Sequence, residues 1–233
     1  MRRQKLSEEV RRQLLDLIKS GSVGLGQPLP SERELMERLG VGRPAIREAM
    51  QSLETIGLIE IRHGGRARVA EPSIGRMVDQ ISETMKHLLA NSPASLENLK
   101  EARATVEREM ARLAARRRSA ADLERLTEIL AEQLVAIHDP VRFRTLDGRF
   151  HREIASISGN PIFSALIDAL FRWLSDFHVD LVSVPGLEQL TLAEHREILA
   201  AITRGDPEAA GVAMGDHLMR ASELYRQSHL ARR

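Results

Sequence analysis

Signals that end one helix and begin the next recur along this chain, and they constrain its fold more than any other feature. Gly159-Asn160-Pro161 and Gly205-Asp206-Pro207 each combine a glycine stop, an N-cap residue and a proline suited to the first turn of a helix. Ser119-Ala120-Ala121-Asp122 caps a further helix, and Thr191-Leu192-Ala193-Glu194 matches a capping box that either opens a helix or tightens its first turn. The pattern predicts an all-helical region from about residue 72 onward.

The first part of the chain opens with three helical patterns. Apolar side chains recur every four residues from Leu6 to Ile18, which is the period of an amphipathic helix. Ser31-Glu32-Arg33-Glu34 forms a capping box at the start of a short second helix, and Gly40 ends that helix. Gly42 opens a third helix, which tolerates Pro44 in its first turn.

A strand pattern follows the third helix. Residues 57–62 and 66–69 alternate between apolar and polar side chains around His63-Gly64-Gly65, as the two strands of a hairpin do. Three helices followed by a glycine-tipped hairpin predict a winged helix-turn-helix over residues 1–71.

The predicted organisation is therefore a mainly α chain whose β structure is confined to the hairpin wing. Glu71-Pro72-Ser73 is the expected hinge, and residues 72–95 are expected to form a linker and a connecting helix. Residues 96–228 are expected to form an all-helical bundle.

Composition excludes several classes of protein. The chain has no cysteine, which excludes disulfides, thiolate zinc sites and cysteine nucleophiles and fits a cytoplasmic location. No run of eighteen apolar residues exists, so no membrane span is expected. Residues 1–72 hold 13 Lys and Arg against 10 Asp and Glu, whereas residues 73–233 hold 21 against 23. This asymmetry indicates that the first third of the chain meets a polyanion.

The arginines of the first part suit duplex DNA. Arg43 and Arg47 lie one turn apart at the start of the third helix, where a recognition helix presents side chains to guanine O6 and N7. Arg33 could reach a base or a phosphate, and Arg66 adds charge at the wing. An isolated pair of arginines would indicate only a solvated helix surface, but the cap, the turn and the glycine hairpin together favour DNA binding.

Four residues of the helical region suggest a metal site. Asp147 and His151 lie four residues apart on one helix face, His195 is the fourth residue of its predicted helix, and His217 lies within the last helix. A carboxylate and imidazoles inside a helical bundle suit a divalent metal, and zinc, nickel, manganese or iron would fit this set. Spacing alone leaves open that these histidines are surface or packing residues, the interpretation kept for His87, His138, His178 and His229.

The N-terminal motifs resemble the GntR superfamily of bacterial transcription regulators. The resemblance is carried by Leu29-Pro30-Ser31-Glu32-Arg33-Glu34-Leu35, by the segment Gly40–Ala49 and by Gly57-Leu58-Ile59. It implies a homodimer that binds a pseudo-palindromic operator in double-stranded DNA. It also implies DNA contacts from Arg33, Arg43 and Arg47 and wing contacts from His63 and Gly64. Gly42 and Pro44 stand where the family often has hydroxyl side chains, which removes two contacts to DNA.

The helical region resembles the FCD effector domain of the FadR subfamily. Asp147-Gly148-Arg149-Phe150-His151, His195-Arg196-Glu197-Ile198 and Asp216-His217-Leu218 carry this resemblance. It implies that Asp147, His151, His195 and His217 are metal ligands, with zinc favoured. It further implies that Arg103 faces an effector pocket, and Asn160 is a second candidate whose simpler role is to cap a helix.

Together the resemblances imply a ligand-responsive repressor of a catabolic operon, without enzymatic activity. Val41-Gly42-Arg43-Pro44 and Gly159-Asn160-Pro161-Ile162-Phe163 look most like the sialic-acid regulators of the subfamily, which implies N-acetylneuraminate as the effector. Other sugar acids, hydroxy acids and di- or tricarboxylates remain alternatives. A metal-dependent enzyme and a DNA-packaging protein are further alternatives, but each leaves one half of the chain unexplained.

Overall fold

The computed structural model describes residues 2–61, 65–177 and 187–230. The chain divides into two compact units, Met1–Gln80 and Ile81–Arg233. The division falls inside a helix, Ile74–Asn91, which lies in the segment expected to connect the two domains. None of the described helices is long and apolar enough to cross a membrane.

The first unit contains three helices and a short hairpin. The elements are α1 (Arg2–Lys19), α2 (Glu32–Leu39), α3 (Arg43–Thr55), β1 (Ile59–Glu60) and β2 (Arg68–Val69). The strands are antiparallel, with Ile59 opposite Val69 and Glu60 opposite Arg68. Pro28 forms an isolated bridge with Arg68, so the segment before α2 borders the other edge of β2.

The hairpin strands are shorter than the sequence predicts. Gly57 adopts φ 75°, and the backbone N–H of Leu58 donates to the carbonyl of Leu53 at 3.0 Å, so both residues belong to the turn that ends α3. The expected tip residues His63 and Gly64 lie outside the described residues.

The core of the first unit joins all of its elements, and its largest fully buried side chains are Leu14, Leu29, Leu35, Ile46, Leu53 and Ile59. The four-residue period of α1 is only partly reflected in burial. Val10 and Leu14 are buried, whereas Leu6 is 44% exposed, because the first turn of α1 extends beyond this core.

The helix-turn-helix is held by the local signals that the sequence predicts. The Ser31 hydroxyl accepts from the backbone N–H of Glu34, and the Glu34 carboxylate accepts from the backbone N–H of Ser31 at 2.7 Å, so the capping box is confirmed. Gly40 ends α2 in the left-handed conformation at φ 64°, and Gly42 is the N-cap of α3 with Pro44 in its first turn. These caps leave three residues, 40–42, between the end of α2 and the start of α3.

The described part of the second unit is entirely helical. Its helices are α4 (Ile74–Asn91, shared with the first unit), α5 (Pro93–Arg117), α6 (Ala120–Val135), α7 (Pro140–Ser156), α8 (Pro161–Phe177), α9 (Glu188–Arg204) and α10 (Pro207–Leu230). Ser119 and Asp122 form the predicted capping box of α6. Gly159 and Gly205 both have φ 72°, as predicted for glycine stops.

One predicted boundary is wrong. The capping-box pattern at Thr191 and Glu194 does not cap α9, because that helix already begins at Glu188 with Leu187 as its N-cap. The backbone N–H of Thr191 donates to the carbonyl of Leu187 at 2.9 Å, an ordinary helical bond. His195 is therefore the eighth residue of its helix rather than the fourth.

A glycine in the middle of α7 allows α8 to approach closely. A Cβ atom placed on Gly148 would lie 2.8 Å from Cε1 of Phe171. Arg103 of α5 lies over the same Phe171 ring, with its guanidinium carbon 5.4 Å from the ring centroid. Because Gly148 has no side chain, the Phe171 ring can pack against α7, and this ring is the one that the buried Arg103 contacts.

We expect Gly148→Ala to lower the free energy of unfolding by about 1–3 kcal/mol through overpacking, although alanine favours the helix by about 1 kcal/mol. Urea denaturation in the presence of a metal chelator would measure the change in the free energy of unfolding. Gly75→Ala is the matched control, because a Cβ on that helical glycine meets only Ser73 Oγ at an ordinary 3.6 Å. A Gly148→Ala protein as stable as the wild type would contradict the packing argument.

Candidate metal centre and DNA-binding surface

Asp147, His151, His195 and His217 converge inside the second unit. Asp147 and His151 lie one turn apart on α7, while α9 and α10 contribute His195 and His217. All four side chains are buried, and their candidate ligand atoms all lie within 4.8 Å of one another. The rings of His195 and His217 have centroids 4.8 Å apart, and the rings of His151 and His217 are stacked at 5.3 Å.

Each histidine is oriented by a partner at Nδ1. His151 Nδ1 bonds to the Glu107 carboxylate, His195 Nδ1 to Gln133 Oε1 at 2.9 Å, and His217 Nδ1 to Glu194 Oε2 at 2.8 Å. Because all three partner atoms are acceptors, Nδ1 carries the proton in each neutral ring. The unprotonated Nε2 atoms are therefore the ones available as metal ligands.

Three polar atoms of the cluster have no hydrogen bond within the described part of the chain. They are Asp147 Oδ1, His151 Nε2 and His195 Nε2, and all three are buried. Asp147 Oδ1 and His195 Nε2 lie 3.2 Å apart without the alignment of a hydrogen bond. Ligand atoms about 2.0–2.1 Å from a tetrahedral zinc ion lie about 3.3 Å from each other, so this pair fits a divalent metal.

The electrostatics of the cluster favour the metal-binding protonation states of Asp147, His195 and His217. Burial lowers the pKa of His195 to about 4 despite the neighbouring Asp147 carboxylate, so the imidazole is neutral near pH 7. Burial also lowers the pKa of His217, against the effect of Glu194. Burial raises the pKa of Asp147, but the three imidazoles outweigh burial and leave that pKa below its usual value.

Arg103 lies one step behind the cluster. Its Nε donates to Glu107 Oε1 at 2.6 Å, and the other oxygen of Glu107 bonds His151. Burial raises the pKa of Glu107, but His151 and Arg103 together lower it to about 2. The carboxylate therefore stays charged between its two partners, although it is 2% exposed.

Asn160 occupies the cap between α7 and α8. Its side chain is exposed, and Oδ1 accepts from the backbone N–H of Ile162 at 3.0 Å. This bond satisfies an orphan donor at the start of α8, which is the simpler role that the sequence suggests.

Sequence reasoning missed the residues that orient the histidines. Glu107, Gln133 and Glu194 come from three different helices, and only the folded arrangement brings each one to its imidazole. The sequence pattern places Glu194 in a helix cap, but in the structure Glu194 joins His217 to the guanidinium of Arg220. The available signal was weak, because Glu194 adjoins the candidate ligand His195 and Glu107 lies one turn from Arg103.

We expect Glu194→Gln to weaken zinc binding about 10- to 100-fold, because the variant loses the charged acceptor that orients His217 and raises its basicity. Competition with a chromophoric chelator would measure the dissociation constant. Glu188→Gln removes a carboxylate from the same helix at a residue that is not one of the three imidazole partners, so it serves as the control for net charge. Unchanged zinc affinity in Glu194→Gln would contradict the orienting role.

The first unit presents arginines at the start of α3. Arg43 and Arg47 are exposed, and both pair with Glu32 of α2. Arg33, also on α2, is 83% exposed on its side chain and lies 3.7 Å from Glu37. These three side chains lie on the helix-turn-helix and none is used in the core, so their terminal groups are available to DNA.

One wing arginine belongs to the same surface. Arg66 is exposed and its Nη2 lies 3.8 Å from Glu34 Oε2 at the start of α2. A groove of about 450 Å³ runs beside it and is lined by residues of α2, α3 and the wing, among them Glu32, Arg47 and Arg66. The predicted contacts from His63 and Gly64 concern residues outside the described ranges.

Comparisons with known proteins match the two parts of the chain to two different family models. Residues 6–69 match the family model of bacterial regulatory proteins of the gntR family, and residues 97–220 match that of the FCD domain. The chain is 37% identical over 224 residues to the HTH-type transcriptional repressor NanR of Cronobacter sakazakii, covering 93% of this chain and 84% of that protein. It is 36% identical to the NanR repressor of Citrobacter rodentium, covering 96% and 86%.

Solved structures give the same result for the fold. A GntR protein of Streptococcus agalactiae superposes with a TM-score of 0.62 at 29% identity, over 91% of this chain and 97% of that one. E. coli McbR/YncC superposes with a TM-score of 0.53 at 18% identity, over 96% and 98%, a likeness of fold alone.

Proposed function

Since the chain belongs to the gntR family of bacterial regulatory proteins and carries an FCD domain, we propose that it represses a catabolic operon in response to a small acid bound at a metal centre. Membership makes it a DNA-binding transcription regulator and not an enzyme. The observation that carries the metal-dependent part is the convergence of four buried ligand atoms, three of them without a hydrogen bond in the described part of the chain.

The DNA-binding part of the proposal assigns base reading to Arg43 and Arg47. Both guanidinium groups are exposed at the first turns of α3, the position from which a recognition helix reaches base edges. Arg33 is assigned to a base or a flanking phosphate, Arg66 to phosphates, and His63 and Gly64 to the wing contact. Two copies would place two recognition helices on a pseudo-palindromic operator, so the active species is a homodimer.

The metal part of the proposal assigns Asp147, His151, His195 and His217 as ligands, with zinc favoured over nickel, manganese or iron. One carboxylate and three neutral imidazoles leave a divalent site with net positive charge. When bound, such an ion supplies a Lewis-acid contact for the carboxylate of a small ligand. The chain's own contribution is to hold the four side chains in place through Glu107, Gln133 and Glu194.

Arg103 is the proposed second contact for the effector. Its Nε is engaged by Glu107 and its face by Phe171, whereas its terminal nitrogens have no hydrogen bond to a described residue. A buried guanidinium with these nitrogens available suits a carboxylate or a sugar hydroxyl. Asn160 would contribute its side-chain Nδ2, because its Oδ1 caps α8. N-acetylneuraminate is the first candidate effector, ahead of other hydroxy, di- and tricarboxylic acids.

Regulation requires the acid to bind one DNA-binding arrangement of the dimer more tightly than another, since a ligand with equal affinity for both shifts nothing. The five helices that carry the cluster and its partners are α5, α6, α7, α9 and α10. Ligand binding at their common centre would therefore act on most of the helical domain at once.

Fluorescence anisotropy tests the proposal as a whole. Labelled duplexes from upstream of this gene and its neighbours are titrated with zinc-loaded protein, with and without N-acetylneuraminate, against random duplex as competitor. Binding that outcompetes random duplex and weakens with the sugar is the expected result. Specific binding that is unchanged by N-acetylneuraminate but weakened by citrate or lactate would contradict only the proposed effector. The absence of specific binding to every upstream duplex would contradict the proposed operator.

A further inference from the structure

Glu32 lies between the two arginines assigned to base reading. Its Oε2 is 3.5 Å from Arg43 Nε, and its Oε1 accepts a hydrogen bond from Arg47 Nε at 3.2 Å. Glu32 is the first residue of α2, while Arg43 and Arg47 occupy successive turns of α3. One carboxylate therefore spans the turn of the helix-turn-helix and contacts two guanidinium groups.

The contacting atom is Nε in both arginines. A guanidinium held at Nε keeps its two terminal nitrogens together on the opposite side, where they form the edge that bonds guanine O6 and N7. An isolated arginine side chain samples many rotamers and loses that freedom when it reads a base. Contact with one shared carboxylate restricts both side chains before DNA binds.

The other acidic residues of α2 are differently placed. The Glu34 carboxylate is part of the capping box, where Oε2 accepts hydrogen bonds from both the backbone N–H and the hydroxyl of Ser31. Glu37 pairs with Arg33 on its own helix at 3.7 Å. Among the described residues, Glu32 is the acid that joins Arg43 and Arg47, and its ion pairs are with those two arginines alone.

We propose that Glu32 is a specificity-determining residue, which orients Arg43 and Arg47 toward base edges and disfavours their use as phosphate-binding cations. The inference rests on the proposed base-reading role of these arginines. In random duplex the arginines find only phosphates, and the Glu32 carboxylate both partly neutralises them and repels the backbone. In an operator the terminal nitrogens bond guanines while Nε stays on Glu32, so the carboxylate costs little.

The proposal predicts opposite changes on two kinds of DNA. Glu32→Gln keeps the size of the side chain and removes its charge, so affinity for random duplex should rise and its salt dependence should steepen by about one phosphate equivalent. Affinity for the operator should stay level or fall because the arginines are less well oriented. The ratio of the two dissociation constants should shrink about tenfold, the lower part of the range for one bidentate base contact.

The test uses a duplex selected by the wild-type protein from a random-sequence pool, and a scrambled duplex of the same composition. Anisotropy titrations at several salt concentrations give both dissociation constants for the wild type, Glu32→Gln and Glu48→Gln. Glu48 is an exposed acid on α3, and its ion pairs do not include Arg43 or Arg47, so its variant changes the net charge equally. Thermal unfolding should be unchanged in both variants, because exposed ion pairs contribute little stability.

Replacing guanine by 7-deazaguanine in the selected duplex gives a second test, because the resulting loss of affinity does not depend on the net charge of the protein. Loss of the N7 acceptor should weaken the wild type and Glu48→Gln strongly but Glu32→Gln much less. Equal shifts in both variants, or a Glu32→Gln protein with unchanged specificity, would overturn the role of Glu32 and leave the regulator intact. A wild type that enriches no sequence would instead overturn the proposed base reading, and the inference with it.

Discussion

Asp147→Asn should abolish tight zinc binding, lowering the affinity by a hundredfold or more, roughly the upper limit for losing a residue that only supports a ligand. Asp147 is the one anionic member of the four-residue cluster, and its Oδ1 is buried without a hydrogen bond in the described part of the chain. Asparagine has nearly the same volume, so the variant removes the charge and the carboxylate without opening a cavity. The three imidazoles remain, but they cannot offset the charge of a divalent ion.

Two measurements on the same samples decide this prediction. Chelator competition gives the dissociation constant and the stoichiometry, which we expect to be one zinc per wild-type chain. Thermal unfolding with and without zinc gives the second readout, because a ligand at a hundred times its dissociation constant stabilises by about 2.7 kcal/mol. The wild type should gain that stability and Asp147→Asn should not.

An exposed histidine supplies the control. His138 lies just before α7 and is exposed, so His138→Ala removes an imidazole from the chain without touching the cluster. We expect it to bind zinc as the wild type does. Zinc bound equally tightly by Asp147→Asn would mean that the converging atoms are not the metal site.

The cluster illustrates what this sequence could and could not predict. The four-residue spacing of Asp147 and His151 places them on one face of any helix, so that half of the set follows from periodicity. His195 and His217 lie 44 and 66 residues beyond His151, and only a family resemblance joins them to it. Their convergence depends on how α7, α9 and α10 pack, which local patterns do not encode.

Helix ends were predictable for a different reason. The caps at Ser31 and Ser119 and the stops at Gly40 and Gly205 each satisfy backbone groups within three or four residues, so sequence alone specifies them. The failure at Thr191 shows the limit of this reasoning. Its pattern with Glu194 is that of a cap, but the helix starts earlier and the glutamate bonds a histidine 23 residues away.

The arginines of the first unit show both the predictable local signals and the unpredictable contacts between helices. Their place at the start of α3 was set by the local signals of Gly40, Gly42 and Pro44 and was predicted. Their contact with Glu32 crosses from one helix to the next, and no periodicity pairs position 32 with positions 43 and 47. Side-chain networks between elements are therefore where the structure adds most to the sequence.

Arg43→Ala should cost about 1–3 kcal/mol of binding to the selected duplex, or roughly ten- to a hundredfold in affinity, and much less on the scrambled duplex. Arg43 is at the first position of α3, from which a recognition helix reaches base edges, and the proposed role of Arg43 is to read a base there. Its removal deletes a base contact, and the relaxed preference should be confined to the base pair that it reads.

Arg66→Ala is the matched contrast, because it removes an equally exposed arginine from the wing side of the same surface. A phosphate contact carries no sequence information, so this variant should weaken binding to both duplexes by the same factor. It should also reduce the slope of log affinity against log salt by about one. If Arg43→Ala and Arg66→Ala change specific and scrambled binding alike, the division of the surface into base-reading and phosphate-binding arginines is wrong.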